Sequence, residues 1–547
     1  MRHPLVLAAI SGLVLALAFP PMPGGLLSLV GYVPLLYVWA CHAHDWSRPK
    51  LFAITYVTFF LFHGISNWWV ASWQEQTDPF LMASGIVLAF GHPVFLALPW
   101  FVLASIRTHL GMRAMLWLAP FAVSGFEWIH GQSELSYPWL TSGYMLIDTP
   151  LAQAADLVGV YGLSFALLSV NAAIAALVIH GVSTRRRTAA MVAAILGVWF
   201  AYGLIRANAV GVAHTDGSAT IRVGLVQPNE NPWDKWSDPR QQVQRHRQLV
   251  DSARMASRRA VDVYVWSETA IPYPMQRPEY AIDWQSFRRW VDTSNVSVLT
   301  GYSDLMAYPP GMAPASARTS RVDPSVRYDA FNSAIIISPY AADVPIHRKT
   351  NLTPFGERLP FADQFTFAME WIKWGVGISA WGVGRERRPL PLRLAGRDSA
   401  YVGVIICIES IYPETSRDQV RNGADVLCVI TNDAWYNGTP GPRQHYDIAR
   451  MRAIELRRDI VRVGNSGVSG IITADGQSRY EINPMTSTVG IASVNVRHDR
   501  TIYAAVGDII PPLGALLSIL LWLATRFPAL LRNMRIRTYE QSTDTTP

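Results

Sequence analysis

Long apolar runs crowd the first two hundred residues of the chain, and one more lies near its end. They fall at 4–19, 26–41, 51–72, 79–106, 115–129, 152–179, 189–205 and 509–525. A bilayer span takes about 20 mostly apolar residues, so the pattern predicts about eight spans, with the first two runs open to being one re-entrant hairpin. Between 208 and 505 the period changes. Short β-branched runs at 221–226, 261–265, 298–301, 334–338, 402–406 and 426–431 read as strands, and 241–259 and 444–459 read as amphipathic helices. Alternation of that kind predicts an α/β layered unit. The expected organisation is a helical membrane domain over 1–207, a water-soluble α/β domain over 208–505, a last span over 506–527 and a polar tail over 528–547.

Charge sharpens this division. Half of the 547 residues are hydrophobic and 16% are charged, against about 25% in ordinary globular chains. Arg2, Arg48 with Lys50, Arg107 with Arg113, Arg185 to Arg187, and Arg526, Arg532, Arg535 and Arg537 fall on one side of the expected membrane. The connections 21–25, 74–78 and 130–149 on the other side hold no Lys or Arg. The positive-inside rule then places both termini in the cytoplasm and exports the α/β part. Cleavage after the first run would break that alternation, so a removed signal peptide is not expected. The net charge of +7 belongs to this loop bias. There is no basic stripe with interleaved aromatics, and nucleic acid is not an expected partner. Three cysteines make no disulfide framework; Cys41 and Cys428 sit in apolar runs and read as buried small hydrophobes.

Ligands in α/β domains gather beyond strand C-termini. Glu268 follows the strand ending at Trp266, Cys407 follows the one ending at Ile406, and Lys349 follows the run 334–338 after a short turn. Spacing alone leaves each a bland reading as solvated charge or core thiol. Only four of 47 basic residues are Lys, and Lys349 stands beside Arg348, which hints that a compact ammonium is required there.

Local strings add specificity. Trp266-Ser267-Glu268-Thr269-Ala270-Ile271-Pro272 resembles the glutamate motif of the nitrilase superfamily, Lys349 to Glu357 its lysine motif, and Gly403-Val404-Ile405-Ile406-Cys407-Ile408-Glu409 its cysteine motif. Nearly the whole chain resembles the apolipoprotein N-acyltransferase family. That resemblance adds Tyr137-Pro138-Trp139 through Gly143-Tyr144, Gly159 to Phe165, Thr431 to Trp435, Gly441 to His445, Ala449 to Glu455, and Tyr503 with Gly507-Asp508. The departure is Ile408, where the family usually has an aromatic, typically Tyr. The ring supplies no proton or charge, so its loss bears on substrate preference rather than on the chemistry.

The resemblance implies a nitrilase-like α-β-β-α sandwich on a polytopic domain of the bacterial inner membrane, facing the periplasm. It implies acyl transfer from a membrane phospholipid, through a Cys407 thioester, to the N-terminal amine of a diacylglyceryl-cysteine lipoprotein. No metal and no cofactor are expected. Glu268 is the expected base, and Lys349 the expected oxyanion stabiliser, with a backbone N–H near Cys407 as second donor. Glu357 is expected to orient Lys349 and substrate. Glu409, two residues past the nucleophile, would face the same side if it lay on a strand. Trp236 is a candidate substrate contact. Asn432 and Asp433 are expected to shape the loop beneath the site, and His445 to be structural. The apolar stretch 361–383, with Phe365, Phe367, Met369, Trp371, Trp374 and Trp381, reads either as an arm dipping into the headgroups or as a helix closing the core. The rival functions are a membrane-tethered amidase that uses water as acceptor, and a non-catalytic scaffold.

Overall fold

The computed structural model describes residues 3–72, 79–179, 182–212, 219–233, 237–366, 381–394 and 399–527. The N-terminal part contains helices α1 (Pro4–Ala18), α2 (Ser28–Gly31), α3 (Val33–His42), α4 (Arg48–Ser66), α5 (Pro79–Leu110), α6 (Met112–His130), α7 (Ala155–Ile179) and α8 (Val182–Val212). A late helix, Ile510–Ala524, returns to pack on α6.

Every apolar run of the sequence is helical, and half of the expected eight spans meet the length and hydropathy of a bilayer crossing. Among the described residues, four stretches are long and apolar enough to cross a membrane: Gly25–His42, Met82–Leu110, Pro150–Ile179 and Arg186–Gly211. Pro4–Ala18 and Ile510–Ala524 are apolar but only 15 residues long, about 22 Å of helix against a hydrocarbon core of about 30 Å. Polar positions dilute α4 and α6, and they serve the bundle interior. The Thr58 hydroxyl donates to the Ala8 carbonyl at 2.9 Å, Thr55 accepts from the Trp39 indole at 3.0 Å, and Glu127 accepts from the Ser142 hydroxyl at 2.6 Å. Polar side chains at membrane depth find partners inside the bundle in this way.

The α/β part is two stacked mixed sheets. One runs β13 (Thr488–Asn495), β1 (Thr220–Gln227), β2 (Val263–Trp266), β3 (Val298–Ala307), β5 (Arg327–Ile337) and β4 (Arg318–Thr319), with β6 (Ile346–Arg348) also paired to β5. The other runs β12 (Ser478–Ile482), β11 (Ser469–Ile472), β10 (Ile460–Gly464), β9 (Val426–Thr431), β8 (Ala400–Ile406) and β7 (Leu390–Leu392). The two-residue period of a strand sorts the side chains. Val263, Val265, Val426, Cys428 and Ile430 fill the space between the sheets. Tyr264 and Trp266 face outward to pack with Phe287 and Trp290 of α10 (Ala281–Ser294). Leu427 and Val429 face outward to meet Tyr446, Ala449 and Ala453 of the helix Gly441–Leu456. Both faces of both sheets are therefore covered, which is the expected α-β-β-α order. Cys428 is core, as expected, whereas Cys41 is only half-buried.

Fifteen of the sixteen residues of Gly441–Leu456, all but Arg443, are buried, because this helix is clamped between the second sheet and the membrane helices. Gln444 accepts from the indoles of Trp69 and Trp139 at 2.9 and 3.0 Å and donates to the Ser66 carbonyl at 2.7 Å. Arg450 pairs with Asp148 at 2.8 Å, and Glu455 accepts the Val160 N–H at 2.8 Å. Just past the helix, Arg457 reaches Asp156 at 2.8 Å. Gly159, at φ +68°, lets α7 approach closely: a Cβ there would lie 2.3 Å from the Tyr503 ring.

Candidate active site

Three strand ends converge on one cavity of about 550 Å³. Glu268 lies two residues past β2, Cys407 directly after β8, and Lys349 directly after β6, a three-residue strand too short for the sequence pattern to reveal. Glu268, Lys349, Glu357 and Cys407 all line the cavity. Its remaining wall is largely apolar and aromatic. Val87, Leu88 and Phe95 of α5 contribute to it, as do Trp139, Trp233, Trp435 and Tyr436. Ile408, the departure from the family pattern, also lines it and is 7% exposed.

Lys349 is fully buried between two acids. Its Nζ lies 3.2 Å from Glu268 and 2.9 Å from Glu357. Asn332, in the middle of β5, donates through Nδ2 to both acids, at 2.7 Å to Glu268 and 3.0 Å to Glu357, and its carbonyl accepts the Lys349 N–H at 2.8 Å. The second Glu357 oxygen accepts from the N–H and hydroxyl of Thr353 at 2.8 and 2.9 Å. The second Glu268 oxygen accepts the Asn432 N–H at 2.9 Å. Each acid is therefore fixed from two directions.

Burial and pairing set the charges. Burial alone would strip the Lys349 proton, but the two carboxylates outweigh it and hold the ammonium well above its ordinary pKa. Burial likewise works against the Glu357 carboxylate, and Lys349 with the hydrogen bonds overrides it, so Glu357 titrates below its ordinary value. Burial pushes the Cys407 thiol well up, and the negative charge of Glu268 adds to this, with Lys349 opposing. The resting site thus pairs a neutral thiol with a fixed cation and a fixed carboxylate. A buried thiol of this kind needs an adjacent base to act as a nucleophile.

Cys407 sits at φ +53°, a conformation disfavoured for any residue with a Cβ. It opens the 3-10 turn Cys407–Ile411. That turn, rather than a continued strand, redirects Glu409 away from the cavity. Glu409 is fully buried and binds the lysine loop: it accepts from the Thr350 N–H at 2.6 Å, the Thr350 hydroxyl at 2.8 Å and the Ile406 N–H at 2.8 Å. Burial opposes this carboxylate, but His347 and the backbone donors outweigh it and bring its pKa to about 2.

Trp236 lies outside the described residues, as do 367–380, which make up most of the stretch 361–383. At the edges of that stretch, the Phe361 N–H donates to Glu134 at 2.7 Å and Trp381 lines the cavity. Asn332 and Thr353 escaped the sequence reading. The available signal for Asn332 was one amide inside the run Ala330-Phe331-Asn332-Ser333-Ala334. Among the described residues no cluster of His, Cys, Asp and Glu is arranged to hold a metal.

Residues 11–173 match the apolipoprotein N-acyltransferase N-terminal domain, and residues 222–503 match the carbon-nitrogen hydrolase family. The chain is 32% identical to the apolipoprotein N-acyltransferase of Chlorobaculum tepidum, over 93% of this chain and 94% of that one. It is 29% identical to the enzyme of the same name from Geobacter metallireducens, over 93% and 92%. Among solved structures it is similar to Nit3 of Saccharomyces cerevisiae, a nitrilase-superfamily member, with a TM-score of 0.36 and 16% identity over 50% of this chain and 90% of that one.

Proposed function

This chain belongs to the apolipoprotein N-acyltransferase family, and on that premise we propose that Cys407, Glu268 and Lys349 carry out its acyl transfer. The observation that carries the assignment is a Glu–Lys–Cys cluster, its Glu and Lys buried and its Cys half-buried, lining an apolar cavity whose wall includes the membrane helix α5. Glu268 takes the thiol proton as Cys407 Sγ attacks the ester carbonyl of a phospholipid. Lys349 stabilises the oxyanion that forms, with a backbone N–H of the Cys407 turn as second donor. The carbon–oxygen bond to glycerol breaks, Glu268 returns the proton to the leaving oxygen, and lysophospholipid departs. The N-terminal amine of a diacylglyceryl-cysteine lipoprotein then attacks the thioester. Glu268 takes a proton from that amine and passes it to the departing sulfur, which leaves the N-acylated lipoprotein and the free thiol. Glu357 holds Lys349 in place throughout.

The same reading places the α/β part, within 208–505, on the periplasmic side and both termini in the cytoplasm. The distribution of Arg and Lys supports this, and so does contact between the Lys- and Arg-free loop 130–149 and the catalytic part, through Ser136 to Tyr412 at 2.9 Å and Trp139 to Gln444.

Intact-mass analysis after exposure to phospholipid tests the chemistry. The expected result is a fatty-acyl adduct on Cys407 that disappears when diacylated lipopeptide is added and N-acylated product accumulates. Release of free fatty acid without N-acylation, or turnover surviving in Cys407→Ala, overturns it.

A further inference from the structure

A second buried ionisable chain ends on the backbone of the nucleophile itself. His445, on the helix Gly441–Leu456, is 3% exposed. Its Nε2 lies 3.1 Å from the carbonyl oxygen of Cys407 and 2.8 Å from the Ser410 hydroxyl. Its Nδ1 lies 2.8 Å from Asp433 Oδ1. Asp433 is anchored in turn, by Arg462 at 2.7 Å on one oxygen and by the Thr431 hydroxyl at 2.8 Å on the other. The ring of Trp139 packs on the imidazole, with centroids 5.4 Å apart.

Donor and acceptor rules constrain this arrangement. Asp433 only accepts, so Nδ1 carries a hydrogen. The Ser410 hydroxyl can serve Nε2 as donor or as acceptor, but the Cys407 carbonyl only accepts, so a hydrogen on Nε2 is what makes its approach to Cys407 attractive. With both nitrogens protonated, the imidazolium shares the Asp433 carboxylate with the Arg462 guanidinium. Burial opposes the Asp433 carboxylate, but Arg462 and His445 outweigh it and bring its pKa to about 2. Arg462 also reaches the Val468 carbonyl of the β10–β11 turn, at 3.3 Å. The other charged groups around the thiol are Glu268, Lys349 and Glu357.

We propose that His445 is a positioning residue for thioester formation. Pinned as an imidazolium by Asp433, it donates to the Cys407 carbonyl, holds the nucleophile in its left-handed conformation, and puts positive charge behind the sulfur as it becomes a thiolate. This rests on Cys407 being the nucleophile. A merely structural histidine would fill the space and serve Ser410, with no effect on the electrostatics of the thiol.

The test uses the full-length protein in phospholipid vesicles, with single-turnover formation of the Cys407 thioester followed by intact mass from pH 5.5 to 9. His445→Gln can place an amide N–H on the same carbonyl but carries no charge; His445→Leu supplies neither. The expected result is a loss of about tenfold or more in rate for His445→Leu, the size of effect that one charge-assisted hydrogen bond supports. His445→Gln recovers part of the rate, because its amide N–H reaches the carbonyl without supplying charge. If His445→Leu does not fold, His445→Gln alone decides. A Gln variant with the wild-type rate across that pH range, or a folded Leu variant with the wild-type rate, overturns the proposal. Absence of any Cys407 adduct in the wild type sinks the nucleophile assignment instead, which is a distinct outcome.

Discussion

Replacing Glu409 by Gln removes one negative charge from a position where four donors converge, without changing the size of the side chain. The N–H groups of Thr350 and Ile406 and the Thr350 hydroxyl approach within 2.8 Å, and His347 stands 3.5 Å away. A Gln amide can satisfy the Thr350 side with its oxygen but then points its own N–H at that of Ile406. The carboxyl titrates at about 2 rather than 4.5. At about 1.4 kcal/mol for each tenfold in proton affinity, the fold favours the ionised form by about 3 kcal/mol. Glu409→Gln should lower stability by about that amount, seen as a fall in the unfolding midpoint of the detergent-solubilised protein. It should also slow thioester formation, because Thr350 adjoins Lys349 and Ile406 adjoins Cys407. The sign with pH follows from the lowered pKa: this stability is present above the unfolded value near 4.5 and is lost as pH falls through it toward 2, so wild type and variant converge in acid. A variant that unfolds with the wild type at pH 7 and forms the thioester within twofold of its rate would refute the argument.

Three further outcomes follow from the same contacts. Lys349→Met leaves two carboxylates without their cation and the oxyanion without its charged donor; turnover should fall by at least about 100-fold, and a smaller loss in a lipopeptide acylation assay counts against the role of Lys349. Asn332→Leu strips a donor from both acids and should cost about 1–3 kcal/mol, read as a lowered unfolding midpoint with slowed turnover. Gln444→Leu orphans two indole N–H groups and the Ser66 carbonyl, at about 1–3 kcal/mol each, and should lower the thermal midpoint in detergent; an unchanged midpoint would show that the seam is not held there.

The chain's pattern made the layered α/β part legible because its central strands are continuous β-branched runs. Residues 221–226, 402–406 and 426–431 became β1, β8 and β9 with shifts of one or two residues at most. Strands that carry buried charge or lie at an edge were not visible: β10 contains Arg462, and β12 runs Ser478-Arg479-Tyr480-Glu481-Ile482. β6 is too short to show any period. The membrane pattern located the helices but not their capacity to span, because Thr55, Thr58 and Glu127 serve interhelical bonds that a hydropathy count treats as polar defects. In the site, Glu268, Lys349 and Cys407 could be read from short motifs. Their supports could not, because Asn332 acts across a sheet and Glu409 across two loops, and sequence distance hides both. The direction of Glu409 went astray for one local reason: the left-handed Cys407 turns the chain into a 3-10 segment, so the alternation rule of a strand stops applying at Cys407.

The helix Gly441–Leu456 is both hinge-pin and trigger-guard. At one end Gln444 rivets it to Trp69 and Trp139 of the membrane part, and the very next residue, His445, abuts the carbonyl of Cys407. Attachment and alignment are therefore not separable engineering problems in this molecule. A graft of the α/β part onto a foreign anchor would need to bring the indole pair along, because Trp69 and Trp139 both bind Gln444 and line the cavity of the thiol.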